Sequence, residues 1–413
     1  LLQPFKEAPP PRRGRPTVPV ETYLRLMYLK HRYNLGYETL VQEVSDSLTW
    51  RRFCRIDLDA KVPDSTTLIK ARQRYGDRLT DRLNEMLLLS LKEKQLLKTR
   101  KLRIDTTVVE SDVHHPTDAS LLQDGVRVMT RLMRQARKVA SHAVQDFQDR
   151  TAEVKKQILS MAKLLRRRTQ QSWEDIDAIT QTVAGIAEEV CTQVERAVEA
   201  IRDRGQSKKQ ALKAKLAEAA SRTRRLIAQA KEVVSGNRVV PDRIVSFFDP
   251  EARPIKKGKL GKTVEFGYKL RVDETENGFI TGHELYVGNP ADDELLIPAI
   301  DQHIKRYGHA PNAVAVDRGF GSRANEAAAS ALGVRRISLP RRGKKGRQRT
   351  EYEKQLWFQD LQRFRAAGEA KISLLKRKYG LSRSRYRGFV GSKTWVGYGI
   401  WVHNLRRAAL MVK

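Results

Sequence analysis

Two aspartates stand where a carboxylate is unfavourable unless another group compensates its charge. Asp105 lies within the apolar and β-branched residues 102–109, and Asp317 directly follows the apolar residues 313–316. A buried carboxylate is stable beside a bound cation, and carboxylate oxygens are the ligands that Mg²⁺ accepts. Two such ions can activate a hydroxyl and stabilise a leaving oxyanion in phosphodiester chemistry. Each aspartate could equally cap a turn or a helix, and the local sequence leaves both interpretations open.

A third acid of this kind is expected on a helix that we predict from residue 351 to residue 378. Of its four acids, Glu369 has Arg365 one turn before it and Lys376 about two turns after it, so these three share one helical face. A metal-binding carboxylate flanked by cations that hold DNA phosphates would have this arrangement. Ordinary ion pairing on a helix surface would look the same.

The residues around these acids predict strands that alternate with helices. Asn277-Gly278 is typical of a β-hairpin turn, and apolar, β-branched runs mark the strands. The order of the elements predicts an α/β fold, the ribonuclease-H-like fold of the retroviral-integrase type, with a mixed five-stranded sheet flanked by helices. The predicted strands span residues 102–109, 264–272, 279–287, 313–316 and 336–339, and the predicted helices span 290–307, 322–332 and 351–378.

Further helices are predicted on either side of the first strand. Residues 20–100 contain short amphipathic segments with basic faces, which favours a helical DNA-binding domain, although a dimerisation domain would have the same pattern. Residues 119–240 contain no proline and only four glycines, which predicts a long helical insertion between the first and second strands. This insertion is either a bundle whose charges are solvated or an arm that grips DNA or another protomer.

These patterns divide the chain into four parts. Residues 1–19 hold six prolines and a basic stretch, which predicts an extended arm. The helical domain then spans residues 20–100, and the helical insertion spans residues 119–240. The remaining residues, 101–118 and 241–413, form the predicted ribonuclease-H-like core.

The chain carries 80 lysines and arginines against 48 acidic residues, a net charge of +32 in 413 residues. An excess of that size indicates a polyanionic partner, and we expect double-stranded DNA rather than a ribosome or a membrane surface. Cys54 and Cys191 are the only cysteines, and their separation excludes a paired zinc-binding motif. No apolar run reaches the roughly 20 residues of a membrane span, and no signal-peptide pattern is present, so we expect a cytoplasmic protein.

The densest run of positive charge lies between the last predicted strand and the helix that carries Glu369. This position borders the predicted site, so we expect contacts with DNA phosphates that are independent of base sequence and sensitive to salt. A loop that is merely solvated is the alternative. The predicted DNA-binding residues of this run are Arg341, Arg342, Lys344, Lys345 and Arg347.

Several segments resemble those of bacterial insertion-sequence transposases of the DDE class. Arg365, Glu369 and Lys376 are similar to the Arg-Glu-Lys part of their Tyr-Arg-Glu-Lys signature, with Gln362 at the place of the tyrosine. The whole set is similar to the group called ISNCY. The segments that resemble the regions of the first and second catalytic aspartates and the N-terminal domain are residues 104–107 with 115–118, residues 316–320, and residues 12–75.

The resemblance implies a DNA transposase that cuts at element ends and transfers strands into target DNA. Asp105, Asp317 and Glu369 would then hold two Mg²⁺ or Mn²⁺ ions, and Arg365 and Lys376 would position phosphates. Joining two ends implies at least a dimer, with element ends and target DNA as partners, no membrane, and a place at the bacterial nucleoid. A related nuclease that cuts without joining, and an inactive DNA-binding derivative, stay open as alternatives.

Overall fold

The computed structural model describes residues 18–167, 169–202, 205–237, 239–259, 262–341 and 343–411. Most of the predicted arm, and the predicted DNA contact Arg342, lie outside the described residues. The chain forms two compact units. The core unit comprises the described residues within Leu1–Asp112 and Ile255–Lys413, and the helical unit comprises those within Val113–Pro254.

One mixed sheet lies at the centre of the core unit. Its strands are β1 (Lys101–Glu110), β2 (Arg253–Lys259), β3 (Lys262–Thr275), β4 (Ile280–Tyr286), β5 (Ala313–Ala315) and β6 (Arg336–Ser338). β1 pairs antiparallel with β3 and parallel with β5, β4 pairs antiparallel with β3, and β6 pairs parallel with β5. The order β4–β3–β1–β5–β6 is that of a ribonuclease-H-like sheet, which confirms the predicted fold. β2, which also pairs with β3, was not predicted.

Helices cover both faces of this sheet, because side chains alternate between the faces along each strand. On one face, β1 and β5 pack against α10 (Leu296–Tyr307) and α11 (Arg323–Ala331). On the other face, Ala313 and Ala315 pack against α13 (Leu356–Lys378). The face that α13 covers is therefore the one on which a side chain from β1 or β5 can approach that helix.

The prediction of a single helix from residue 351 to residue 378 is wrong, because two helices occupy this region. α12 (Arg347–Lys354) is separated from α13 by Gln355, whose backbone is extended at φ −57° and ψ 139°. Neither proline nor glycine marks this break. It coincides with the burial of Phe358, whose carbonyl accepts a hydrogen bond from Ser338 Oγ at 3.2 Å. Tertiary packing therefore sets the break, and the end of the predicted basic loop is helical.

Five short helices precede the sheet, as the pattern over residues 20–100 predicts. Asp64 caps the fourth of them, since its carboxylate accepts a hydrogen bond from the backbone N–H of Thr67 at 2.8 Å. The last helix of the chain packs against the first and the fifth. These helices are α1 (Val20–Arg32), α2 (Tyr37–Asp46), α3 (Leu48–Cys54), α4 (Ser65–Tyr75), α5 (Arg78–Glu93) and α14 (Gly388–Met411).

The helical unit consists of long helices around its own apolar core. Ile186, Val190 and Val194 are buried there as one stripe, which confirms the long helices predicted from the absence of proline. The boundaries of the four predicted parts of the chain stay a prediction. Within the described ranges, no helix is long and apolar enough to cross a membrane. The helices of this unit are α6 (Asp118–Val139), α7 (Thr151–Leu164), α8 (Gln170–Ala200) and α9 (Ser207–Val234).

A buried group of charges ties the sheet to α13. Glu274 of β3 is only 3% exposed, and its carboxylate lies 2.6 Å from Arg103 Nη2 and 3.3 Å from Lys371 Nζ. Arg103 also donates a hydrogen bond to the carbonyl of Phe364 on α13. Removing the acid would leave two cations buried without their counter-charge.

We expect Glu274→Ala to lower the free energy of unfolding by about 3–5 kcal/mol, because the remaining buried cations cannot recover their hydration. Urea denaturation followed by tryptophan fluorescence measures this change. Asp360→Ala is the control, since Asp360 pairs with Arg363 at the surface, and its loss should change the free energy by less than about 1 kcal/mol. Similar small effects of the two substitutions would contradict a structural role for Glu274.

Candidate active site

Asp105 lies in β1, and Asp317 follows the end of the adjacent strand β5 by two residues. In the parallel pairing of β1 with β5, Arg103 is opposite Ala315, so Asp105 and Asp317 each lie two residues beyond the last paired position. Asp105 is half-buried, and its Oδ1 accepts a hydrogen bond from the backbone N–H of Thr106 at 2.7 Å. The pair therefore stands where β1 runs on past the carboxyl end of β5, the edge at which α/β sheets place ligand sites.

The turn after β5 holds the second aspartate. Asp317 Oδ1 accepts a hydrogen bond from the backbone N–H of Gly319 at 2.7 Å, at the start of a short 3₁₀ turn. A side chain at position 319 would have its Cβ 2.7 Å from Asp292 Oδ2 and 2.8 Å from Asp317 Oδ1, which is too close for either carboxylate to stay in place. Asp317 therefore caps a turn, which is the alternative to metal binding that the sequence left open. A carboxylate has two oxygens, so the cap does not exclude a second ligand.

Asp292 is a further acid beside this turn that the sequence did not single out. Its Oδ1 accepts a hydrogen bond from Thr106 Oγ1 at 2.9 Å and lies 2.6 Å from the buried Lys269 Nζ. In sequence it looks like an ordinary acid at the start of a helix, because its neighbours are proline, alanine and another aspartate. Only the tertiary structure shows that it contacts the residue next to Asp105 and the glycine that holds Asp317.

The face of the sheet on which the pair lies is the one that α13 covers. Arg103 contacts this helix, and a Cβ at Gly368 would lie 3.3 Å from the Arg103 side chain. Because side chains alternate along a strand, Asp105 shares the face of Arg103.

A polar cleft of about 500 Å³ joins Asp317 to α13. Glu369 and Arg365 line it together with Asp317, whereas Lys376 lies two turns further along the helix and does not line it. Glu369 is 68% exposed, and its Oε1 lies 3.3 Å from Arg365 Nη2. Over the described part of the chain, no three acidic, histidine or cysteine side chains stand close enough together to ligate one metal ion.

Gln362, which stands where related signatures have tyrosine, connects the ends of two strands at the cleft. Its Nε2 donates hydrogen bonds to the carbonyls of Val316 and Ser338 at 3.3 and 3.1 Å and to Ser338 Oγ at 2.8 Å. These contacts hold α13 against the carboxyl ends of β5 and β6. Gln362, which replaces the tyrosine of the signature, therefore helps to position α13.

The basic run after β6 is partly tied down by carboxylates. Arg341 Nη2 lies 2.9 Å from Glu326 Oε2, and Lys345 donates a hydrogen bond to Glu353, which lines the cleft. Burial opposes ionisation of Glu353, but hydrogen bonds from Lys345, the Arg341 backbone and an arginine of α12 outweigh it and lower its pKa. Arg341 and Lys345 are therefore paired with acids, and the predicted phosphate contacts of the run stay a prediction.

Two predicted DNA contacts of this run do face solvent. Lys344 is exposed, and the side chain of Arg347 is 92% exposed, with Glu351 at 3.1 Å as its partner on the same helix. An exposed ion pair of this kind contributes little and is readily exchanged. Lys344 and Arg347 are therefore more accessible than Arg341 and Lys345, which are paired with Glu326 and Glu353.

Comparison with known families matches two segments of the chain. Residues 1–74 match the family described as Transposase domain (DUF772), and residues 251–405 match the family described as Transposase DDE domain. The second match contains Asp317 and Glu369, while Asp105 lies between the two segments. No solved structure matches the chain. The resemblance to the ISNCY group stays a prediction.

The two matches follow one another along the chain, and the second covers most of the sheet and the whole cleft. Proteins of this class act on DNA and use divalent metal ions, which agrees with the paired aspartates and the large excess of positive charge. The chain belongs to the DDE transposases of insertion sequences.

Proposed function

We propose that this transposase cuts DNA at the ends of its element and joins the freed 3′ ends to target DNA, with Asp105, Asp317 and Glu369 as the catalytic carboxylates. The observation that supports the proposal is the cleft that Asp317 and Glu369 line together, beside the strand β5 with which β1 pairs in parallel. Asp105 does not line the cleft, and we propose that it lies close enough to share the metal ions with the other two acids.

The donor set suits hard divalent cations. Asp105, Asp317 and Glu369 offer only carboxylate oxygens, the donors that Mg²⁺ and Mn²⁺ prefer, and we propose that they hold two such ions. When bound, the ions activate the attacking hydroxyl and stabilise the leaving oxygen. Because the described residues do not contain a ready-made set of three ligands, Glu369 has to leave its partner Arg365 in order to take part.

The neighbouring cations have a different task in this proposal. Arg365 can exchange Glu369 for a phosphate oxygen, since a guanidinium group binds phosphate as well as carboxylate. Lys344 and Arg347 are exposed beside the cleft, and Lys376 lies further along α13, so these three would follow the DNA backbone. Such contacts position the substrate and carry no base specificity.

Arg341 and Lys345, the residues of the basic run that are paired with acids, have a structural task in this proposal. Arg341 and Lys345 are held by Glu326 and Glu353, so contacting DNA would require them to give up those partners. We propose that they fix the path of the loop and add to the positive potential, while the exposed cations contact phosphates directly.

The assembly follows from the chemistry. Two element ends have to be joined to one target, so we propose that at least two copies of the chain act together, each with residues 20–100 on an element end. A cytoplasmic protein at the bacterial nucleoid would meet both substrates.

We expect Asp105→Asn, Asp317→Asn and Glu369→Gln each to reduce strand transfer by at least about 100-fold, because each amide is a poor ligand and carries no charge to hold a divalent cation. The assay is joining of a labelled element end to target DNA in Mg²⁺ or Mn²⁺, and removal of the metal with a chelator should abolish joining. Binding of the element end should survive all three substitutions.

Asp360→Asn is the matched control, because it lies on the same helix as Glu369 and is paired with Arg363 at the surface. It should retain full joining. Retained joining in any of the three test variants would remove that residue from the catalytic set, and cutting without joining by the wild type would favour the nuclease alternative.

We expect Gly319→Ala to reduce strand transfer by about 100-fold, because a Cβ there displaces the carboxylate of Asp317 and a displacement of about 1 Å at a reacting group has an effect of that size. The same joining assay measures it, with binding of the element end as a second readout that should not change. Gly185→Ala is the control, since a Cβ at Gly185 meets nothing within 4 Å. Full joining by the Gly319 variant would show that the turn does not position Asp317.

A further inference from the structure

A buried lysine lies between the N-terminal helices and the C-terminal part of the core unit. Lys30 of α1 is 1% exposed, and its ammonium donates a hydrogen bond to the carbonyl of Leu35 at 2.6 Å. The ammonium also lies over the rings of Tyr37 at 4.5 Å and Trp395 at 5.1 Å. Aromatic faces stabilise a cation, but they do not neutralise it.

Arg72 of α4 reaches the same aromatic group. Its guanidinium carbon lies 3.9 Å from the centre of the Tyr386 ring, and its Nε is buried without a hydrogen-bond partner. In the part of the chain that the structure describes, Arg72 makes no ion pair. A guanidinium group so placed retains donors for an oxygen-rich anion.

Arg385 is a third cation, since it is exposed and directly precedes Tyr386, the residue whose ring Arg72 contacts. Burial, followed by the charges of Arg385 and Arg72, lowers the pKa of Lys30 to about 7. The same two arginines act on His31, whose imidazole nitrogens are both buried without a partner. No carboxylate within the described ranges contributes to the pKa of either residue, so the three cations repel one another without an acid between them.

A cluster of like charges without a counter-ion is unfavourable by itself and becomes favourable when an anion binds. Arginines bind phosphate oxygens through paired N–H groups, and Lys70 and Arg74 on the exposed side of α4 extend the positive surface beyond the cluster. A chain of phosphates would use that extension, whereas a single inorganic phosphate would not.

We propose that Arg72 and Arg385 bind a phosphate of the DNA backbone between them, with Lys30 behind them as a buried source of positive potential. This is a second DNA contact, outside the cleft of Asp317 and Glu369. It draws on the DNA binding of the family and does not depend on the catalytic roles of the acids.

The cluster also predicts how DNA binding depends on pH. A phosphate beside Lys30 favours the ammonium form and raises the pKa of Lys30 above its value of about 7 in the free protein, so binding takes up protons and is stronger at low pH. If DNA binding raised the pKa of Lys30 by about one unit, the affinity for DNA would be about fivefold higher at pH 6 than at pH 8.

Lys30 is the group of this cluster that titrates between pH 6 and pH 8. Burial, and then the neighbouring cations, hold the pKa of His31 well below its ordinary value. Arginine side chains stay protonated throughout this range. Burial also raises the pKa of each tyrosine that faces the cluster, so all of them stay neutral: Tyr23, Tyr37, Tyr386 and Tyr398.

The test is fluorescence anisotropy of a labelled DNA duplex with the full chain and a chelator, so that no chemistry occurs. Arg72→Gln and Arg385→Gln should each lower the affinity about tenfold and reduce the slope of log affinity against log salt by about 1. Lys30→Met should lower the affinity at pH 6 and remove its difference from pH 8. Arg335→Gln, an exposed arginine just before β6, is the control for loss of one charge and should keep the wild-type slope and pH dependence.

The outcomes distinguish DNA from inorganic phosphate as the ligand, and they distinguish this site from the proposed catalytic site. Inorganic phosphate should displace the duplex no more than chloride of equal ionic strength, and specific displacement would overturn DNA as the ligand. Arg385→Gln changes an exposed side chain and therefore decides the matter if Arg72→Gln fails to fold. Affinities of both arginine variants equal to that of Arg335→Gln would also overturn the site. Asp105→Asn should bind the duplex normally, so failure of the catalytic proposal would be recognised independently.

Discussion

The parallel pairing of β1 with β5 is the constraint on which the rest of the site depends. It brings β1, which carries Asp105, beside the strand that Asp317 follows, although the whole helical unit separates these two residues in sequence. Alternation along β1 places Asp105 on the face that α13 covers, and Asp317 lines the cleft beside that helix, while apolar residues on the opposite face pack against α10 and α11 and hold the strands in place. Acids that share one site require compensating charge. The hydrogen-bond donors and cations around them supply part of it, and the divalent ions used by this class of enzyme would supply the rest.

Positive charge is arranged in two ways in the core unit. Beside the cleft, Arg341 and Lys345 are neutralised by carboxylates, so they shape the loop and leave Lys344 and Arg347 exposed. Around Tyr386, the cations have no acid among the described residues and are stabilised by aromatic rings instead. The first arrangement fixes a surface before DNA arrives, whereas the second is completed by an anion.

Much of the core could be predicted because its signals are local. Apolar and β-branched runs marked the five predicted strands. The break at Gln355 could not be predicted, because burial of Phe358 rather than a helix-breaking residue produces it. Asp292 was overlooked for a similar reason, since an acid at the start of a helix has an ordinary local explanation and its contact with Lys269 comes from a distant strand.

The sequence by itself determined the class of chemistry, since carboxylates in apolar strands and a large excess of lysine and arginine point to metal ions and DNA. It also determined the order of the five predicted strands and of most helices between them, because period and residue type act over a few neighbours. The tertiary structure decided which side chains meet. Strand pairing placed β1, with Asp105, beside the strand that Asp317 follows, and ion pairs decided which cations stay accessible. Such contacts join residues far apart in sequence, and their energies depend on burial and distance, which no local pattern contains.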